Sequence, residues 1–386
     1  MLLYYYSDTL LISWVLMLIF GGYMLFGKNP SRPIFKPYIQ SRRILGIGYM
    51  LFSIMYFLQW KYDFRDYIPS IATGLNLSSY YLIALCFGIS FISLLDNSFM
   101  NKKRIIKGII KWLLFTLIIV IDLFLINGKF QSYILICSSI FFIGDVTRII
   151  ILFFRTYHQA LNKMENYYSD NIDGFVRWLI KSVHAIIIIG LSGGIITFLP
   201  KKAVTIYAIL GIIVLSYVFF SLINYLVDYE QIEIAIEDNK FTHTTENEID
   251  PTAYAIQDNN EVSIEKEKEN ENLNKQIIEN YLPKWIKEKK FLQQGITIEQ
   301  LCREIGTNRT YLSSYINTEK KCTFRHWIAQ MRIDYAKDLM LGNSDITIGE
   351  VGEKVGYSEA HFVRLFTQFE LISPAKWRQN QNVQNG

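Results

Sequence analysis

Long apolar runs alternate with short polar segments over the first 227 residues of the chain. At about 1.5 Å per helical residue, each run is long enough to cross the roughly 30 Å of a bilayer core. The pattern predicts seven transmembrane helices, at about residues 9–26, 44–60, 77–95, 108–126, 132–154, 178–198 and 204–227. The opening MLLYYYSD lacks the basic region and the cleavage site of a secretory signal, so we expect the first helix to be retained.

The lysines and arginines of the connecting loops predict the orientation of these helices. The loops after the first, third and fifth helices hold 12 of these residues, whereas the other loops hold 5. Because basic loops stay on the cytoplasmic side, we expect a multi-pass protein of the cytoplasmic (inner) membrane. Its N-terminus lies outside, its C-terminal part lies in the cytoplasm, and the lipid bilayer is its first partner.

Several ionisable side chains fall within the apolar runs, where a charge costs on the order of 2.5 to 3.5 kcal/mol. They include Asp122, Asp145, Arg148, Lys181 and His184. Asp145 and Arg148 are three residues apart and so share one helical face, where they can neutralise each other. Two interpretations remain open: a structural ion pair with end charges at the interface, or a polar site that senses an unidentified small-molecule ligand.

The composition changes sharply after residue 227. Residues 228–272 hold 14 acidic and 3 basic side chains, which predicts a stalk followed by an acidic, flexible linker over residues 228–271. Apolar residues continue the last helix at heptad-like spacing, at Leu222, Tyr225, Tyr229, Ile232 and Ile236. This spacing fits either a short stalk that makes the protein a homodimer or an ordinary amphipathic helix end.

An internal repeat with an offset of 50 residues lies in the polar part of the chain. ITIEQLCREIGTNRTYLSSYI at 296–316 aligns without a gap on ITIGEVGEKVGYSEAHFVRLF at 346–366. Each copy begins with a capping box, Thr297 with Gln300 or Thr347 with Glu350, and has a glycine at its turn. The repeat therefore predicts two helix-turn-helix motifs, at 297–316 and 347–366.

An amphipathic helix of about 18 residues is predicted between the two motifs, and it would span roughly 27 Å. Its apolar positions are Phe324, Ile328, Met331, Tyr335 and Leu339. Successive major-groove faces of DNA lie about 34 Å apart. One rigid linker helix could therefore set both motifs on one face of DNA.

With these features, the C-terminal part resembles the AraC-type transcription regulators. The resemblance also rests on the linker FRHWIAQMRIDYAKDLML with Arg332 and Ala336, the GY pair at 356–357, FVRLF at 362–366 and SPAKWR at 373–378. It implies an all-helical domain that binds double-stranded promoter DNA and acts with RNA polymerase. Lys321 and Leu371 stand where the family usually has glycine. Since a non-glycine residue in the left-handed region costs on the order of 1 kcal/mol, we expect those two turns to differ in shape.

Polar residues on the second helix of each motif and beside it are the candidate DNA contacts. We expect Arg309 and Arg364 to read bases, and Lys320, Lys321, Lys376 and Arg378 to contact the DNA backbone. The complete set is Asn308, Arg309, Thr310, Ser313, Ser314, Lys320, Lys321, Ser358, Glu359, His361, Arg364, Gln368, Lys376 and Arg378.

The fold class that follows is all-α. Residues 1–227 form a seven-helix transmembrane bundle, 228–271 a stalk and acidic linker, and 272–386 a soluble domain with two helix-turn-helix motifs. We predict a membrane-anchored one-component transcription regulator whose transmembrane part acts as sensor or anchor. The alternative is a membrane transporter or channel with a helical partner-binding domain. The chain has no HExxH or P-loop motif and no CxxC spacing among its four cysteines. The one GxSxG match, GLSGG at 190–194, falls inside an apolar run, where small residues permit close helix packing. We therefore expect neither an enzyme nor a metal or other cofactor.

Overall fold

A computed structural model of the chain describes residues 2–62, 69–125, 131–170, 173–196, 201–236, 260–343 and 345–384. Within these ranges the chain forms fourteen α-helices and no β-strand, which confirms the predicted all-α class. The chain divides into two compact units. The first comprises Met1–Ala160 and Asp173–Ile236, and the second comprises Leu161–Ile172 and Glu237–Gly386.

Seven long helices build the first unit. They are α1 (Leu2–Phe26), α2 (Lys36–Tyr62), α3 (Pro69–Ser93), α4 (Lys102–Leu125), α5 (Gln131–Glu165), α6 (Asp173–Ile196) and α7 (Lys201–Ile236). Within the described residues, five segments are long and apolar enough to cross a membrane: Tyr5–Phe26, Pro33–Tyr62, Gly74–Ser93, Ile136–Glu165 and Ala203–Ile236. A membrane-spanning role for α4, which opens with four basic residues in its first six, and for α6 stays a prediction.

Aromatic stacking and buried hydroxyl groups hold the helices of the first unit together. The rings of Phe20 on α1 and Phe219 on α7 stack with their centroids 4.2 Å apart. The hydroxyl group of Tyr49 on α2 donates to the carbonyl oxygen of Leu215 at 2.6 Å. Large apolar side chains are left exposed along α4, among them Leu113, Leu114, Leu117 and Ile118. An apolar outer face of this kind fits contact with lipid better than contact with water.

The C-terminal end of α7 packs within the first unit and does not stand free as a stalk. Leu222, Tyr225, Tyr229 and Ile232 are each at most 2% exposed. The Tyr38 hydroxyl group donates to the Leu222 carbonyl oxygen at 3.0 Å. The heptad-like seam is therefore buried inside its own unit, which favours the ordinary helix end over the dimerising stalk.

Helix α8 (Asn260–Lys287) begins inside the segment predicted to be a flexible linker. The prediction is therefore wrong for residues 260–271, while 237–259 lie outside the described residues. The physical reason is local: the sequence from 252 to 282 has no glycine or proline and is rich in Glu and Lys, which are good helix formers. An acidic composition alone therefore does not distinguish a solvated helix from a flexible linker.

Six further helices complete the second unit: α9 (Ile298–Ile305), α10 (Arg309–Tyr315), α11 (Phe324–Gly342), α12 (Ile348–Lys354), α13 (Glu359–Glu370) and α14 (Pro374–Gln384). The apolar positions of the repeat are buried, as predicted: Leu301, Ile305, Leu312 and Ile316 in the first copy, and Val351, Val355, Phe362 and Phe366 in the second. Each copy thus packs α9 on α10, or α12 on α13, through equivalent side chains.

Candidate nucleic-acid interface

The first helix-turn-helix motif is set by its caps. The Thr297 side chain accepts from the Gln300 amide at 3.3 Å, and the Gln300 side chain accepts from the Thr297 amide at 3.0 Å. Gly306 ends α9 in the left-handed region at φ 84°. The Asn308 side chain then accepts from the Tyr311 amide at 3.1 Å and starts α10. The predicted capping box and glycine turn are both confirmed.

The second motif repeats this construction. The Thr347 hydroxyl group accepts from the Glu350 amide at 3.2 Å, and the Glu350 carboxylate accepts from the Thr347 amide at 2.8 Å. Gly356 adopts φ 83°, and a Cβ atom there would lie 2.8 Å from the carbonyl oxygen of Leu292. Because this neighbour is backbone, only glycine fits the turn.

Helix α11 separates the motifs with 19 residues, from Phe324 to Gly342, which corresponds to roughly 28 Å. The predicted linker helix is thus confirmed. Contrary to the expectation from the sequence, the turns that follow the second helix of each motif do not differ in shape from the glycine-containing turns of the family. Lys321 and Leu371 lie in the left-handed region, at φ 54° and φ 61°. These turns keep the backbone shape that glycine usually provides, because the surrounding helices outweigh a local cost of on the order of 1 kcal/mol.

Most candidate DNA contacts are solvent-exposed. The exposed side chains are those of Thr310, Ser314, Lys320, Lys321, Ser358, Glu359, Arg364, Gln368 and Lys376. Those of Asn308, Arg309, Ser313, His361 and Arg378 are half-buried. The structure therefore brings a polar, accessible set to the second helix of each motif, and it uses some of the remaining candidates inside the fold.

Three of the half-buried candidates contact other groups within the fold. Asn308 caps α10, as described above. Arg378 donates through a terminal nitrogen to the Ile346 carbonyl oxygen at 2.7 Å, so its guanidinium group braces α14 against the start of the second motif. The ring of His361 packs 4.8 Å from that of Tyr357. Burial, aided by the positive charge of Arg364, lowers the pKa of His361 and favours its neutral form.

Arg309 contacts a segment that sequence analysis did not connect with the motif. Its guanidinium carbon lies 4.8 Å from the centroid of the Tyr167 ring. Tyr167 belongs to residues 161–170, named here the docking loop, which comprise the end of α5 and the turn after it and form part of the second unit. No periodic signal in the sequence marks this segment as a partner of the first motif.

The first unit contains a largely apolar cavity of about 300 Å³. Its wall includes Phe87, Phe153 and Tyr207, and among the residues that the structure describes, no carboxylate, lysine, arginine or histidine lines it. The amide side chains of Gln59 and Asn76 also line it and form a hydrogen bond of 3.0 Å. The cavity is thus suited to an uncharged molecule.

Three of the residues predicted for intramembrane sensing, Asp145, Arg148 and His184, lie elsewhere in the first unit. The Asp145 carboxylate is 2.9 Å from Arg148 and 3.2 Å from Lys111, and it accepts from the Tyr81 hydroxyl group at 2.7 Å. The His184 ring contacts the Ile180 carbonyl oxygen at 2.8 Å, and the Asp122 side chain lies outside the described residues. Asp145, Arg148 and His184 are absent from the cavity wall.

Comparison with known proteins identifies the C-terminal region. Residues 301–380 match the family described as "Helix-turn-helix domain". The chain is similar to the uncharacterized HTH-type transcriptional regulator YtdP of Bacillus subtilis (strain 168), with 28% identity over 90 residues, 23% of this chain and 12% of that protein. It is also similar to the probable transcription factor PqrA of Proteus vulgaris, with 27% identity over 103 residues, 26% of this chain and 83% of PqrA. No solved structure matches the chain.

Proposed function

We propose that the whole protein is a membrane-held transcription regulator. Its C-terminal part is a helix-turn-helix domain of the AraC type. Its two helix-turn-helix motifs bind promoter DNA sequence-specifically. The observation that carries this proposal is the pair of equally capped motifs joined by one 19-residue helix. At roughly 28 Å, this helix is of the same order as the spacing of about 34 Å between successive major-groove faces, so it can hold the two second helices towards neighbouring grooves.

Base reading falls to Arg309, the half-buried first residue of α10, and to exposed side chains of α13. Arg364 on α13 can donate two hydrogen bonds to a guanine edge, and Gln368, one turn further on, can pair with adenine. Lys320, Lys321 and Lys376 supply phosphate contacts. Residues 273–386 hold 16 basic and 12 acidic side chains. This small excess of positive charge fits a sequence-specific DNA-binding domain better than a protein that binds DNA non-specifically.

The apolar helices of the first unit hold the regulator in the membrane. The orientation with the N-terminus outside and the DNA-binding domain in the cytoplasm is supported by the basic loops. It is also supported by the docking loop, one of these predicted cytoplasmic loops, which belongs to the same compact unit as the DNA-binding domain. RNA polymerase and a second copy of the chain stay predicted partners, and the absence of enzymatic activity stays a prediction.

The transmembrane part senses as well as anchors in this proposal. The support is the cavity of about 300 Å³, because the described residues of its wall include no carboxylate, lysine, arginine or histidine and offer an amide pair. The ligand class is therefore an uncharged, mainly apolar molecule with one hydrogen-bonding group. Asp145, by contrast, already has two cationic partners and a tyrosine donor, which favours its structural interpretation.

Genome-wide DNA occupancy of the intact protein, compared with a chain that lacks residues 272–386, tests the DNA-binding function. We expect discrete promoter sites that disappear from the truncated chain and from the double variant Arg309→Ala/Arg364→Ala. A transporter or channel would instead give substrate flux in reconstituted vesicles, with no DNA sites that depend on these arginines. Absence of sites for the intact protein under every growth condition would refute the proposed function.

Sensing and topology need separate tests. Replacing residues 1–227 by an unrelated membrane anchor should abolish the response of promoter occupancy to growth conditions. An unchanged response would mean that residues 1–227 anchor the protein but do not sense. Ala208→Phe, which fills part of the cavity wall, should weaken the same response without loss of membrane insertion. In a Lys103→Cys variant, the introduced thiol should be labelled only from the cytoplasmic side. Labelling from the outer side would show that the orientation is the reverse of the one proposed.

A further inference from the structure

The docking loop binds the first helix-turn-helix motif through its backbone. The Ile298 amide donates to the Tyr167 carbonyl oxygen at 2.9 Å, and the Ser169 amide donates to the Ile296 carbonyl oxygen at 3.1 Å. These two bonds form an isolated antiparallel bridge that pairs Tyr168 with Thr297. The bridge lies at the cap of α9, so the loop contacts the motif where its first helix begins.

Side chains on both sides reinforce this bridge. The Asp170 carboxylate accepts from the Gly295 amide at 3.0 Å and lies 3.4 Å from the buried guanidinium group of Arg332. Glu165 forms a 3.4 Å ion pair with Arg325 at the start of the linker helix. Acidic residues of the docking loop therefore meet arginines of α11, and the loop contacts both the first motif and the helix that positions the second.

Tyr167 extends the contact to the recognition helix itself. This residue is 5% exposed, and its hydroxyl group donates to the Glu299 carboxylate at 2.6 Å. Its ring faces the guanidinium group of Arg309, the first residue of α10, at 4.8 Å. Burial, with the Glu299 carboxylate, raises the pKa of Tyr167 and keeps its hydroxyl group protonated as a donor.

We propose that the docking loop is an intramolecular latch that withholds Arg309 from DNA. This inference rests on the proposed function, in which Arg309 reads a base. A guanidinium group held on the Tyr167 ring must leave that ring to reach a base edge in the major groove, so DNA and the docking loop compete for one side chain. The docked state therefore binds its operator more weakly than the released state.

The position of the docking loop in the chain gives the latch its input. The docking loop begins within the last turns of α5, and α6 begins at Asp173, only three residues after Asp170. A shift of either helix within the first unit must therefore pull on the bridge. Opening the latch releases Arg309 and frees the cap of α9, which links a change among the membrane helices to DNA reading without any diffusing messenger.

The first experiment weakens the latch in the full-length protein in lipid nanodiscs. The probe is a DNA duplex selected from a random pool by the wild-type protein and, in parallel, by the Tyr167→Ala variant. We expect Tyr167→Ala to bind the probe about 5- to 150-fold more tightly than wild type, the range of an ordinary allosteric coupling. Tyr167→Phe keeps the ring under Arg309 and should give a smaller gain, and Tyr281→Ala, an exposed tyrosine of α8, should give none.

The second experiment closes the latch covalently. Tyr168 and Thr297 form the non-hydrogen-bonded pair of the bridge, whose Cα atoms are expected about 4.5 Å apart, a separation that a disulfide can span. Tyr168→Cys/Thr297→Cys is made in a Cys137→Ser/Cys322→Ser background, because those two thiols are not buried. We expect oxidation to weaken binding of the selected duplex and reduction to restore it, with the lost Thr297 cap common to both states.

The outcomes separate the latch from the function on which it rests. If the pool yields a duplex, yet neither Tyr167→Ala nor the closed disulfide changes its affinity, the latch is wrong and the DNA-binding function stands. Weaker binding by a folded Tyr167→Ala variant would also overturn the latch, because the contact would then assist DNA reading. If neither wild type nor Tyr167→Ala enriches any duplex, the proposed function itself fails.

Discussion

The guanidinium carbon of Arg332 lies 4.7 Å from the centroid of the Tyr357 ring, deep between the linker helix and the second motif. Arg332 is fully buried. It donates to the carbonyl oxygens of Phe291 and Gln293 at 2.7 and 2.5 Å. One buried cation therefore ties α11 to the segment before the first motif and to the turn of the second.

Arg332→Met should destabilise the C-terminal domain, because the buried carbonyl oxygens of Phe291 and Gln293 would lose their donor. We expect a loss of about 1–3 kcal/mol in the free energy of opening. Hydrogen exchange of the α11 amides in the full-length protein measures it. Arg303→Met, at an exposed site on α9, should change this energy by less than about 0.5 kcal/mol. Equal effects of the two substitutions would contradict the role given to Arg332.

His361 makes the stability of the second motif depend on pH. Because its pKa is lowered in the folded protein, the unfolded chain takes up the proton first as the pH falls below about 6.5. Stability should therefore be greatest above that pH, and it should decline as the pH falls towards the folded-state pKa. His361→Gln should flatten this decline in unfolding transitions of the full-length protein. A decline that survives the substitution must come from other groups.

Leu371 offers a test of local strain. Its side chain is 85% exposed and its φ of 61° is left-handed, so Leu371→Gly should stabilise α13 by up to about 1 kcal/mol after the entropy of glycine is counted. The matched control is Leu273, which is exposed within α8, and Leu273→Gly should cost about 1 kcal/mol. Opposite signs in hydrogen exchange support the strain, and two losses of similar size would argue against it.

Local rules account for what the sequence predicted well. Each capping box joins residues only three apart, Thr297 with Gln300 and Thr347 with Glu350. Both boxes can therefore be predicted from the sequence, and both are present in the structure. Apolar periodicity likewise predicts that α11 is a helix, but it predicts the buried face less well. Of the five apolar positions, only Phe324 and Ile328 are buried, whereas Met331, Tyr335 and Leu339 are half-buried. These signals need no knowledge of distant parts of the chain.

Long-range contacts account for what the sequence did not predict. The bridge between Tyr168 and Thr297 joins residues far apart in the chain, and NYYSD at 166–170 reads as an ordinary polar turn. Arg332 was recognised only as a family feature, because its partners are backbone carbonyl oxygens that carry no side-chain signature. The seam at Tyr229 looked like a stalk, since spacing alone cannot tell whether its cover comes from a second chain or the same unit.

Arg364 and Lys376 should contribute differently to DNA binding: Arg364 to the discrimination between bases, and Lys376 to the affinity for the phosphate backbone. Both are exposed, but Arg364 lies on α13, whereas Lys376 lies in the first turn of α14. A bidentate contact to guanine is worth about 1–3 kcal/mol of discrimination, and a phosphate contact adds roughly one to the salt dependence of binding. Arg364→Ala should therefore relax the preference at one base position of the selected duplex.

Lys376→Ala should instead weaken binding to all duplexes alike and reduce the slope of log affinity against log salt by about 0.9. Competition binding with single-base variants of the duplex, repeated over a salt series with the full-length protein, distinguishes the two effects. Gln379→Ala, at an exposed neighbouring site on α14, serves as the control and should change neither quantity. If Arg364→Ala altered only the salt slope, α13 would contact the DNA backbone and base reading by the second motif would have to be assigned to other residues.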